Sequence, residues 1–246
     1  MNDHSYHLPG RSAGNIASPA RAMPLDPRKL FVAGGLCWVA FAVVTWLALN
    51  NAAAPFDRAG LLWLRAPDGS PLGPAWLAEA VRDVTALGGV LLRNLFVLAA
   101  AAALLFLRLR REAAMLVATV AGGWVVNTLL KGLVARERPA IVPHLMEAGG
   151  MSFPSGHSFN GAVAWLAIAL ALAALSGRQS VRRSVIGAAL LLSAAIAWSR
   201  VWLGVHYPTD VLAGWLGGAG WAFMAAALTS SVMEAPARTA PAAARR

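Results

Sequence analysis

Apolar residues in this chain gather into six long stretches, at about 30–49, 86–107, 113–131, 158–176, 184–203 and 209–230, with short polar breaks between them. Each approaches the ~20 residues that a helix needs to cross a bilayer. The pattern predicts an all-α, polytopic membrane protein with six transmembrane helices in a bundle. Between the first two stretches, residues 51–85 mix turn formers (Pro55, Pro71, Gly73, Pro74) with amphipathic pieces at 61–64 and 76–81. These predict short helices lying in the interface of the first outer loop. Residues 1–29 and 232–246 are polar or rich in Ala, Pro and Arg, without apolar periodicity. They read as disordered tails, the first of them cytoplasmic, flanking one membrane domain at 30–231.

Composition agrees with a membrane protein: 58% of residues are apolar, 13% are charged and the mean hydropathy is +0.59, outside the range of ordinary soluble domains. The formal charge of +10 would point to nucleic acid only if the basic residues formed one patch, and they do not. Arg11, Arg21, Arg28 and Lys29 precede the first stretch, Arg108, Arg110 and Arg111 follow the second, Arg178, Arg182 and Arg183 follow the fourth, and Arg238, Arg245 and Arg246 close the chain. In a six-helix topology these segments share one side, which the positive-inside rule makes cytoplasmic for both termini. The connections 1–2, 3–4 and 5–6 then face outward. Ala52–Ala54 could pass for a signal-peptidase site, but the apolar stretch before it is too long and its basic leader too extended, so it reads as a retained span. Cys37, the single cysteine, rules out an intramolecular disulfide and a thiolate zinc site. Trp63, Trp76, Trp198 and Trp202 fall near outer boundaries and read as interface anchors.

Three polar clusters occupy the outward connections. The first, Lys131 to Pro139, leaves the third stretch with Lys131 and Arg138 seven residues apart, so a continuing helix would set them on one face, with Pro139 biasing Arg138 out of it. Two cations could converge there on an anion, although basic residues at a helix end are commonly snorkelling anchors. Asn127, one turn earlier, either orients Lys131 or packs. The second cluster, Ser152 to His157, is a Pro-Ser-Gly turn entering the fourth stretch. It offers the Ser155 hydroxyl, close backbone approach at Gly156 and free amides at a positive helix end, with His157 in the first turn. An N-cap beside a solvated histidine is the plainer alternative. In the third, Ser199 to Asp210, Gly204 can end one helix and Pro208 can begin the next, with His206 just before it and Asp210 in its first turn. Asp210 can hold one nitrogen of His206 and raise the basicity of the other, or simply cap the helix. Together the clusters supply cations, donors and two imidazoles but no carboxylate group suited to a divalent metal, an inventory that fits phosphoryl transfer without metal.

Lys131…Arg138-Pro139, Pro154-Ser155-Gly156-His157 and Ser199-Arg200…His206…Asp210 resemble the three signature motifs of the type 2 phosphatidic acid phosphatase (lipid phosphate phosphatase) superfamily, with no departure at a signature position. The resemblance implies a metal-independent lipid phosphate or diphosphate phosphatase without cofactor, in a bacterial inner membrane with its site facing the periplasm. It implies that His206 forms a phosphohistidine, that Asp210 orients it, and that His157 is the general acid and then helps activate water. It further implies that Lys131, Arg138 and Arg200, with Ser155 and the Gly156 amide, hold the phosphate. Arg136 and Glu137 are outside the signature; they either tune the site or are solvated. Undecaprenyl diphosphate, phosphatidic acid, phosphatidylglycerol phosphate and lipid A phosphates all fit as substrates. Two alternatives stand beside this reading: a vanadate-dependent haloperoxidase-like enzyme, whose relatives are soluble, and a non-catalytic lipid-phosphate transporter or receptor.

Overall fold

A computed structural model describes residues 25–238, and its regular elements are eight helices: α1 (Pro27–Leu49), α2 (Ala54–Leu62), α3 (Ala75–Ala86), α4 (Val90–Phe106), α5 (Arg110–Val134), α6 (Gly156–Ala174), α7 (Gln179–Trp202) and α8 (Pro208–Arg238). Five of them, α1, α5, α6, α7 and α8, are long and apolar enough to cross a membrane alone. The crossing expected at 86–107 is α4, which reaches spanning length only together with α3, across a 49° bend. The piece at 76–81 lies in α3, which joins α4 at that bend, and α2 is a separate short helix of the first connection.

Helices reach into both segments expected to be tails. Asp26 accepts hydrogen bonds from the amides of Arg28 and Lys29, and Pro27 supplies the preset φ of a first helical position, so α1 begins inside the 1–29 segment. At the other end α8 continues through Arg238, well past the boundary at 232. Residues 1–24 and 239–246, the rest of both tails, lie outside the described residues.

Helix α6 is the centre of the bundle, packed against α4, α5, α7 and α8, while α1 runs along α8. Its residues from Ser158 to Leu170 are almost all buried, as expected where neighbouring helices, not lipid, surround a span. Small residues let the backbones approach. A Cβ on Gly218 of α8 would collide with the Phe159 carbonyl of α6, and one on Gly214 would lie 2.7 Å from the Ser155 carbonyl. This contact brings the start of α6 beside the start of α8, and the C-terminal ends of α5 and α7 arrive at the same end of the bundle. Trp63, Trp76 and Trp198 are exposed, as interface anchors are. Trp202 is not: it is buried under the Arg65 guanidinium, 6.0 Å from the ring centroid.

Candidate active site

The three clusters meet around one cavity of about 350 Å³, lined by Lys131, Arg138, Gly156, His157, Arg200 and His206 together with the 146–151 segment. Different local devices bring them there. Helix α5 stops at Val134, where Ala135 takes a left-handed φ of 49°. The continuing helix that would align Lys131 with Arg138 is therefore absent: Lys131 projects from the last turn and Arg138 reaches in from an extended segment. Ser155 caps α6, its hydroxyl accepting from the Ser158 amide (3.4 Å) and hydroxyl (2.9 Å). Gly204, at φ +75°, ends the α7 connection with its α-carbon face against the Pro143 carbonyl, where a Cβ would approach to 2.9 Å. Pro208 then starts α8 and puts Asp210 in its first turn, behind His206.

His206 is buried, and its two nitrogens face different partners. Nε2 lies 3.1 Å from Arg138 Nη1. A guanidinium can only donate, so Nε2 is the acceptor and the ring proton sits on Nδ1. On that side Nδ1 is 3.3 Å from Ser152 Oγ and 3.5 Å from Asp210 Oδ2, and the Ser152 hydroxyl itself donates to Asp210 Oδ2. The unprotonated nitrogen thus looks into the cationic cavity and the protonated one toward the carboxylate. Burial holds this imidazole well below the ordinary histidine value, at about 4, against the opposing pull of Asp210. Burial also lowers Arg138, which stays a cation.

The cations already have partners on the protein. Lys131 Nζ donates to the Met151 carbonyl (2.7 Å), and Arg138 donates to the carbonyls of Gly149 (2.7 Å), Gly150 (3.0 Å) and Val205 (2.8 Å). Arg200 Nη1 donates to Thr85 Oγ1 (3.0 Å) and approaches Met146 Sδ (2.9 Å), while its buried Nε has no protein partner. Of the eight site residues read from the sequence, six line the cavity. Asp210 stands one residue behind it, and Ser155 lies beneath it with its hydroxyl engaged by Ser158.

Several further residues reach the site whose roles the sequence left open or did not show, and Arg136 is joined to it rather than solvated. Ser152 bridges His206 and Asp210 although it precedes the Pro-Ser-Gly-His turn. Arg136, between the signature positions, donates to Asp210 Oδ1 (2.7 Å), Thr209 Oγ1 (2.8 Å) and Asp57 Oδ2 (2.8 Å). Burial would lower its guanidinium, but Asp210 and Asp57 outweigh that and hold it above its ordinary value. The acidic Asp57, inside the mostly apolar α2, is the one visible hint that this helix reaches the site.

Comparison with known proteins places this geometry in a family. Residues 111–233 match the PAP2 superfamily. The chain is 31% identical over 140 residues to phosphatidylglycerophosphatase B of Bacillus subtilis (strain 168), covering 56% of this chain and 68% of the relative. It is 38% identical over 78 residues to phosphatidylglycerophosphatase B of Haemophilus influenzae, covering 29% of this chain and 30% of the relative. The crystal structure of a transmembrane PAP2-type phosphatidylglycerolphosphate phosphatase from Bacillus subtilis superposes with a TM-score of 0.70 at 26% identity, covering 84% of this chain and 97% of that one. The chain belongs to the PAP2 superfamily and is a membrane-spanning lipid phosphatase of that family.

Proposed function

We propose that the enzyme hydrolyses the terminal phosphomonoester of a glycerophospholipid, phosphatidylglycerol phosphate first among the candidates, through a phosphohistidine at His206. The observation that carries this is the tautomer: Nε2 of His206 is unprotonated and faces a cavity bounded by Lys131, Arg138 and Arg200. In the first step Nε2 attacks phosphorus, the bond from phosphorus to the ester oxygen breaks, and His157 protonates the departing alkoxide. In the second, His157 takes a proton from water as its oxygen attacks phosphorus, and the P–N bond breaks to return His206. Asp210 holds the Nδ1 proton and stabilises the cationic ring while the phosphoryl group is attached. The three cations and the amides at the start of α6, with Gly156 at its first position, hold the phosphoryl oxygens; the orphaned Arg200 Nε is one donor ready for them. Ser155 contributes by capping that helix.

The substrate preference is supported by the two curated relatives and the solved structure, all phosphatidylglycerophosphatases by name. Undecaprenyl diphosphate, phosphatidic acid and lipid A phosphates remain the comparison substrates. The dispersed basic residues support cytoplasmic termini and a site at the periplasmic face, and the bacterial relatives support an inner membrane. Phosphate release from phosphatidylglycerol phosphate in detergent, with chelator present, is the test. The parent enzyme is expected to turn over, and His206→Ala to lose at least ~3 orders of magnitude in rate. A faster reaction on undecaprenyl diphosphate would move the substrate class, and undiminished turnover by His206→Ala would remove the nucleophile.

A further inference from the structure

Behind His206, away from the cavity, a second layer of charge joins α2 to the start of α8. Asp57 is buried, and its Oδ1 accepts from the Thr209 amide (2.9 Å) while its Oδ2 accepts from the Thr209 hydroxyl (2.7 Å) and Arg136 Nη2 (2.8 Å). Arg136 completes the bridge through Nη1 to Asp210 Oδ1 at 2.7 Å, and its guanidinium lies over the Tyr207 ring, 4.1 Å from the centroid. Asp210 turns its other oxygen to Ser152, the Tyr207 amide (3.0 Å) and the His206 side. Helix α2 is seated closely enough to make this reach: a Cβ on Gly60 would lie 2.6 Å from Pro208 Cγ. The fork geometry of arginine suits two carboxylates at once, and the trio carries one net negative charge to set against a cationic His206 ring.

We propose that Asp57 and Arg136 are positioning residues that set the orientation and effective charge of Asp210, and through it the basicity of His206, making the short helix α2 part of the phosphoryl-transfer machinery. Neither residue lines the cavity, so neither is a phosphate ligand. The inference rests on His206 as nucleophile and extends it to residues outside the motifs. The other charged or titratable groups facing His206 are Arg138 after α5, Arg200 on α7 and His157 on α6, with Lys131 on α5 and Glu147 of the 146–151 segment lining the same cavity; Glu137 adds a charge near Tyr207. All are constant across the variants below, so differences between variants isolate the bridge.

The effects on His206 have opposite signs. Asp57→Asn leaves the Arg136 charge uncompensated beside Asp210, which disfavours a cationic imidazole. Arg136→Gln removes a positive charge, which favours it. Titration of His206 by NMR in full-length, histidine-labelled protein, with its signal assigned by loss in His206→Asn, is expected to shift down in Asp57→Asn and up in Arg136→Gln, by roughly half a pH unit or more. Each variant is expected to lose roughly 10- to 100-fold in kcat with little change in KM. Arg136→Lys, which keeps the charge, returns the titration to its parent position, and so does the double variant Asp57→Asn with Arg136→Gln, which also serves if a single variant does not fold. A titration that is unmoved, or moves the same way in both single variants, overturns the proposal. If instead His206 is not the nucleophile, His206→Ala keeps turnover while the titration shifts still appear, so the two failures are told apart.

Discussion

At the scale of single residues, the assignment of roles to the two histidines has consequences that differ by substrate. His157 matters to bond cleavage only as far as the leaving group needs a proton. His157→Ala is therefore expected to cost far more in kcat/KM on a lipid phosphomonoester than on p-nitrophenyl phosphate, whose phenolate leaves unaided; equal losses on both would remove the general-acid role. Asp210→Asn replaces the acceptor of the Nδ1 proton with an amide that can hold the wrong tautomer, and should lower kcat by about 3 orders of magnitude at nearly constant KM. The low pKa of His206, about 4, has a defined sign as well. The nucleophile is lost only as pH falls through that value, so in mildly acidic solution His206 stays unprotonated where an ordinary histidine would already be cationic. The eight motif residues could be singled out because ionisable side chains are scarce in a membrane chain and these clusters sit where spans end. Ser152, Asp57 and Thr209 were not, because their roles arise from contacts between segments far apart in sequence.

At the scale of elements, the close α6–α8 crossing controls how the His157 turn meets the His206–Asp210 turn. A Gly218→Ala methyl would collide with the Phe159 carbonyl, a backbone atom that cannot step aside, so about 1–3 kcal/mol of destabilisation is expected together with lower turnover. Gly35→Ala in α1, where a Cβ meets nothing within 4 Å, is the matched control and should be neutral in thermal unfolding. Hydropathy located five crossings to within a few residues because lipid-facing helices must be apolar along their length. It could not see the α3–α4 bend, since a broken span and an interfacial helix followed by a short span have the same composition. The stop of α5 short of Arg138 was equally hidden: Ala135 carries no signature of a left-handed residue, and Pro139 lies too far downstream to set the end.

At the scale of the whole molecule, a periplasmic site requires the cavity and the first connection to share that side, opposite Gln179. In a Cys37→Ser background, Asp68→Cys should react with a membrane-impermeant maleimide on intact spheroplasts, and Gln179→Cys only after lysis; the reverse pattern would invert the topology. The phosphohistidine is tested by following the phosphoryl group itself. Phosphatidylglycerol phosphate carrying a radiolabelled terminal phosphate is mixed with enzyme, the reaction is quenched in alkali within the first turnovers, and labelled peptides are mapped. An acid-labile, alkali-stable label is expected on His206 and absent in His206→Ala. Label on another residue, or phosphate release at full rate with no protein-bound label at any time, would overturn the phosphohistidine.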